Sequence, residues 1–337
     1  MGAGNGGAQV SVERSGDGLT ELVLLNDELR VVVLPELGGR VWEITHLASG
    51  RQLLWHHPGL RPGPVPFGAD YDPNFLGGWD ELFPNDLAEV LGGHGFPDHG
   101  EAWSLPWEWQ VLTGESQAAV RLRLVAPVSG STLVRTFRLA PGSAALELEV
   151  QVTNGSGAEL PMLHKQHLAA DLPPGSRLDL PVAAVEIGEF GTPRAGRYGD
   201  RFDWPLLATP EGAVDFAASP AEGAAELLFA TGFSEGWAAC TGPDGVGIGL
   251  SFDHDAYPAC WTFASHGGWD GLRVAVLEPC TGVGLSVAEG VAAGTHRVLG
   301  PGESLRTRLS AVAYSGMAQV VGIHGHGLDC RVEGVPR

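Results

Sequence analysis

The sequence predicts an all-β fold, a large antiparallel β sandwich, on three observations. Short apolar runs with two-residue periodicity recur from end to end. Turn formers punctuate them: Gly 50 and Pro 24 in 337 residues, scattered between the runs rather than gathered in one tract. No segment sustains the 3.6-residue period of an amphipathic helix, and the Ala-rich stretch 212–225 is broken by Gly and Pro.

Taken in order, residues 1–8 are small and uncharged and are expected to be disordered. Residues 9–337 read as one domain, because no linker or internal repeat divides them and large β sandwiches reach this length. Strands are predicted at 21–25, 29–34, 118–125 and 132–139. The run 145–153 alternates most clearly, with Leu146, Leu148, Val150 and Val152 on one face and Glu147, Glu149 and Gln151 on the other. Residues 140–143 (APGS) join it to the preceding run as a hairpin. Further strands are predicted at 226–230, 246–252, 272–278 and 306–314. Between them, 56–108 reads as irregular chain rich in Gly, Pro, Trp and His, and a loop of that length in a compact domain usually serves function.

Composition narrows the partners. A formal net charge of −20 repels phosphate backbones and anionic lipid, so neither nucleic acid nor membrane is expected. No apolar run approaches spanning length, and the start MGAGNGGAQV has neither the basic nor the apolar part of a signal peptide. Four cysteines without a CxxC pair make no disulfide framework. The expectation is a cytoplasmic protein, monomer or homodimer.

Four constellations carry candidate chemistry. In Leu34-Pro35-Glu36-Leu37-Gly38-Gly39-Arg40 a strand ends, a Gly-Gly turn follows and Arg40 opens the next strand, which by itself reads as a hairpin with a surface Arg. Gly77-Gly78-Trp79-Asp80-Glu81-Leu82-Phe83-Pro84-Asn85 sets two carboxylates among aromatics, a sugar platform or the buried anchor of a long loop. His99-Gly100-Glu101-Ala102-Trp103 follows, with His94 nearby. The fourth pairs His164 and His167 with Glu278. Odd spacing puts the two histidines on opposite strand faces, so one of them looks into a site. Glu278 closes the apolar run Val274-Ala275-Val276-Leu277, and Pro279 is expected to stop the strand there. A carboxylate so placed is costly unless useful, and desolvation makes it a better base. His324-Gly325-His326 and Asp253-His254-Asp255 look ligand-like, but no complete zinc pattern and no HExxH occurs, so no metal is expected.

The order of these motifs, spanning roughly Leu22 to Tyr314, resembles the aldose 1-epimerase (galactose mutarotase-like) family. The resemblance implies a large antiparallel β supersandwich with a sugar site on its concave face. It implies that Glu278 is the base that takes the anomeric proton and His167 the acid that protonates the ring oxygen. Ala169 and Ala170 stand where the family often has an aromatic residue, which keeps His164 as a rival to His167. The resemblance further implies His99 as a sugar-binding residue, together with Arg40, Asp80 and Glu81, and Trp79 and Trp103 are expected to stack on the sugar ring and position it. Trp103 occupies the place where phosphate-binding relatives carry Arg, which favours a non-phosphorylated sugar.

The expected activity is therefore interconversion of aldose anomers by Glu/His base and acid, without a cofactor. Two alternatives stand beside it: a non-catalytic carbohydrate-binding protein, and a lyase or isomerase acting on a modified sugar on the same fold.

Overall fold

The computed structural model describes residues 7–113, 116–221 and 223–337; of the segment expected to be disordered, 1–6 lie outside them. Among the described residues, twelve strands form one antiparallel sheet and eight form a second. The predicted runs become strands Leu29–Leu34, Ala118–Val125, Thr132–Leu139, Ala145–Thr153 and Arg273–Cys280, among others. In Ala145–Thr153 the four apolar positions are buried and the polar ones half-buried, as period two requires of a strand with one face on a core. Its hairpin with Thr132–Leu139 pairs Leu139 with Leu146 across the 140–144 turn.

The main core lies between the sheets. Val31, Val41 and Ile44 of the larger sheet meet Leu122, Leu148 and Leu309 of the smaller one. A second cluster covers the outer face of the larger sheet, built from Tyr71, Phe75, Leu82, Trp103, Ala169 and Val276. Strands in the middle of this sheet are thus buried on both faces, which explains why 273–280 reads as a nearly unbroken apolar run. The short helix Val287–Ala293 is capped by Ser286, whose side chain accepts a hydrogen bond from the Glu289 N–H. No described helix is long and apolar enough to cross a membrane.

Two sequence expectations are corrected. Residues 56–108 are not wholly irregular: Trp79–Leu82 is a strand inside the larger sheet, between Arg40–His46 and Lys165–Asp171. Its two carboxylates hid it, because their cationic partners come from distant segments. Pro279 does not end its strand either, and it stands opposite Cys260 in Arg273–Cys280. Pairing on the other side runs Lys165 with Cys280 and then Leu168 with Leu277, omitting the positions opposite Pro279 and Glu278. A residue without an N–H is tolerated where the ladder is interrupted.

Candidate active site

Alternation sorts the strand Lys165–Asp171 into two sets. Leu168 and Ala170 enter the core between the sheets, whereas Ala169 joins the outer cluster. Lys165 and His167 share the parity of Ala169 and line a cavity of about 290 Å³ on that outer face. On the neighbouring strand, Val276 and Glu278 line the same cavity, and the register sets Glu278 opposite His167. His99 enters from the turn that follows the strand His94–Phe96. Walls come from Phe75, Phe190, Trp261, Phe263 and Trp269. Phe263 and Trp269 meet edge-on at 5.4 Å, and Phe190 stands edge-on to Phe263 at 5.2 Å.

The charges form a connected system. Lys165 Nζ lies 3.2 Å from Glu278 Oε2, donates to Asp86 Oδ1, and sits 3.8 Å above the indole of Trp261. Burial raises the Glu278 carboxyl to about 6, with Lys165 pulling the other way. Burial alone would lower the Lys165 ammonium, but Asp86 and Glu278 outweigh it and hold it above its usual value. His167 is pushed well below the ordinary histidine range by burial, with Lys165, His99 and Arg40 adding to the effect. His99 moves the other way: burial lowers it, yet Asp86 and Asp98 prevail and raise it.

Supporting bonds hold these groups in place. Tyr71 O–H donates to Asp80 Oδ2 at 2.8 Å and lies 3.2 Å from His167 Nδ1. The Asp98 carboxylate ties two segments together, accepting the Tyr71 N–H at 2.7 Å and facing His99 Nδ1 at 3.0 Å. Asn85 Nδ2 pins the loop by donating to the Leu87 and Pro97 carbonyls, each at 2.8 Å.

Of the sequence candidates, Glu278, His167 and His99 meet in the cavity, and the other six do not line it. Arg40 is no surface residue. It is 1% exposed, with Nε 2.8 Å from Asp80 Oδ1, because the strand it opens lies beneath the outer cluster. Asp80 acts through Tyr71 rather than facing the cavity. Glu81 turns inward to Arg135 at 2.8 Å and to His164 Nε2 at 3.0 Å. His164 packs between Phe83 and Tyr257 of the main core, so the imidazole in the cavity is His167. Trp79 is fully buried and donates to Gln166 Oε1 at 2.9 Å. Trp103 stands edge-on to Tyr71 at 5.0 Å and donates to the Asp98 carbonyl. These last two tryptophans are held from both sides by protein and offer no stacking surface to a ligand.

Sequence reasoning missed Lys165, Asp86, Tyr71 and the aromatic walls. Lys165 was within reach, since even spacing from His167 puts both on one strand face. Asp86 and Tyr71 carry no periodic signal because they lie outside the strands. Among the described residues, no group of three or more His, Cys, Asp and Glu side chains is placed to hold a metal ion.

Fold and site together define a class: an all-β supersandwich with ionisable groups gathered in an aromatic-walled cavity on its larger sheet. No protein-family model matches the chain. Solved structures do. The chain is similar to the Slr1438 protein of Synechocystis sp. PCC 6803, with 18% identity, 94% of this chain and 99% of that one covered, and a TM-score of 0.65. A galactose mutarotase-like protein of Clostridium acetobutylicum is 14% identical over 92% of this chain and 100% of that one, with a TM-score of 0.68. Another galactose mutarotase-like protein, from Lactobacillus casei, is 16% identical over 87% and 100%, with a TM-score of 0.60. At these identities the likeness is one of fold, and the fold of this chain is galactose mutarotase-like.

Proposed function

We propose that the cavity binds a non-phosphorylated aldose and interconverts its anomers by acid–base opening of the ring. The observation that carries this reading is the placing of Glu278 opposite His167 on adjacent strands, both lining one cavity. Opening a pyranose requires the C1 hydroxyl to lose a proton while the ring oxygen gains one. The aldehyde then rotates about C1–C2 and recloses on either face. A carboxyl at about 6 is mostly ionised at neutral pH and still basic enough to accept that proton. Imidazoles beside it supply the acid, and help of this kind is worth roughly 10²–10⁴-fold per group.

The lining favours an uncharged ligand. Asp72, Asp86, Asp98, Glu189 and Glu278 face the cavity, and the ammonium of Lys165 is already shared by two of them. A sugar phosphate would meet carboxylates there at Coulombic cost, whereas sugar hydroxyls donate to them. The aromatic walls suit the C–H faces of a pyranose.

The test is magnetisation exchange between the anomers of a panel of aldoses, with and without protein. Faster exchange for at least one free aldose, lost in Glu278→Gln, is expected. One observation favours a binding-only module: His167, the acid of the family pattern, is held neutral. Saturable binding of a sugar without any exchange would establish that second reading, and a change of mass in the product would indicate a lyase.

A further inference from the structure

Resting on the anomer-interconversion reading, we infer that His99 is the catalytic residue that protonates the ring oxygen. His167 instead accepts a hydrogen bond from a sugar hydroxyl.

Hydrogen-bond direction separates the two rings. The single proton of the Tyr71 hydroxyl goes to Asp80 Oδ2 at 2.8 Å, and that carboxylate is held by Arg40 at 2.8 Å. Tyr71 therefore has only lone pairs left for His167 Nδ1, 3.2 Å away, so Nδ1 carries the ring proton. Neutral His167 then has a bare lone pair at Nε2. Protonating it would put a second positive charge next to Lys165, with His99 and Arg40 also near.

His99 has the opposite surroundings. Its Nδ1 faces Asp98 Oδ1 at 3.0 Å, which fixes a proton on that nitrogen. Its Nε2 is 3.7 Å from Asp86 Oδ1, so a carboxylate stands at each ring nitrogen and favours the imidazolium, whose Nε2–H is beyond hydrogen-bond length of Asp86 and free for substrate. Asp72, Asp86, Asp98 and Glu278 supply negative charge around the ring, against the ammonium of Lys165. The ring stacks flat on Tyr71 at 4.1 Å and keeps 15% of its side chain open to the cavity.

The backbone is committed to this placement. His99 has φ 57, a conformation L residues rarely adopt. The next residue has no room for a side chain, since a Cβ at Gly100 would stand 2.0 Å from the Phe83 carbonyl oxygen. Strain of this kind persists where the neighbouring structure holds it and a site uses it.

The step balances. As the C1–O5 bond breaks, His99 Nε2–H gives its proton to O5, Glu278 takes the C1 hydroxyl proton, and C1 becomes a carbonyl. On closure O5 attacks C1, the carbonyl oxygen regains a proton from Glu278, and the C5 hydroxyl returns its proton to His99.

The experiment compares His99→Gln and His167→Gln by anomer exchange across pH, with nitrogen-15 NMR of the wild-type histidines read alongside. His99→Gln is expected to lower kcat about 10²–10⁴-fold and erase the alkaline limb of kcat/KM. His167→Gln is expected to raise KM about 10-fold, keep most of kcat and keep that limb. As pH is lowered, His99 should gain its second ring proton at a higher pH than His167, and His167 should hold the Nδ1–H form at pH 7. The reverse pattern in the variants, or an Nε2–H form of His167, overturns the assignment. The NMR readings need no folded variant. Absence of exchange in the wild-type protein sinks the enzyme reading itself and this inference with it. Loss of kcat and of the alkaline limb only in His167→Gln sinks this inference alone.

Discussion

Replacing Lys165 by Met removes the ammonium that lies 3.2 Å from Glu278 Oε2 and keeps the carbon stem. Both side chains are almost fully buried, so solvent screens the pair little. At an effective dielectric constant of 20, charges 3.2 Å apart interact by about 5 kcal/mol. At 1.36 kcal/mol per pKa unit that is an upper bound of roughly 4 units, and water entering beside the Met would reduce it to about 2–3. The Glu278 carboxyl, at about 6 with Lys165 present, should then titrate near pH 8–9, roughly, in the variant. Loss of Lys165 also leaves Asp86 uncompensated, which pushes in the same direction. The assay is the pH dependence of anomer exchange: the acid limb of kcat/KM should move from about pH 6 to about 8–9. Stability should follow with a definite sign. A carboxyl raised by folding is destabilising above its unfolded value, so the variant should be nearest to wild type in acid and lose ground as pH rises. An acid limb unmoved by more than about half a unit would refute the coupling between Lys165 and the base.

Three further outcomes are expected. Glu278→Gln should abolish exchange yet be about 1–2 kcal/mol more stable than wild type at pH 7.5, because a carboxyl raised from 4.5 to about 6 costs stability that sets in above its unfolded value; urea denaturation at pH 4 should show no such gain. Gly100→Ala should cost about 3 kcal/mol or more, since its Cβ would stand 2.0 Å from the Phe83 carbonyl oxygen, and thermal unfolding with exchange kinetics would show stability and His99-dependent activity falling together. Glu81→Gln should destabilise by about 3–5 kcal/mol by leaving the Arg135 guanidinium, 2.8 Å away and fully buried, without its counter-charge, while any molecules that fold keep their KM because Glu81 does not face the cavity.

What the sequence made legible follows from where each signal is stored. The strand Ala118–Val125 was readable to the residue because Ala118, Val120, Leu122 and Leu124 alternate with Arg121 and Arg123, and Thr132–Leu139 because its β-type run is bounded by turn formers. Glu278 was readable because a carboxylate at the end of an apolar run stands out. His167 could be set apart from His164 only by the resemblance, although their opposite faces followed from parity alone. The strand Trp79–Leu82 was not readable, because what allows Asp80 and Glu81 to be buried is Arg40 and Arg135, and those come from other strands. Asp86, Asp98 and Tyr71 had no local signature either, since loop residues reach the cavity by closure rather than by period.

Register explains why those two adjacent carboxylates have different tasks. Trp79–Leu82 pairs with the central strand so that Asp80 stands opposite His167 and Glu81 opposite Gln166. The next strand sets Glu278 opposite His167 on its other side. One row across three strands thus carries Asp80, His167 and Glu278 on the outer face, while the adjacent row carries Glu81 and Gln166 inward to Arg135 and His164. A slip of one residue would exchange the rows, driving the outer set into the apolar core and turning Arg135 toward a partner that had left. Buried ion pairs gain little net stability over apolar packing, but a misregistered one is heavily penalised. The inner Glu81–Arg135 pair therefore discriminates between registers more than it strengthens the correct one, and the register it favours is the one that sets Glu278 beside His167.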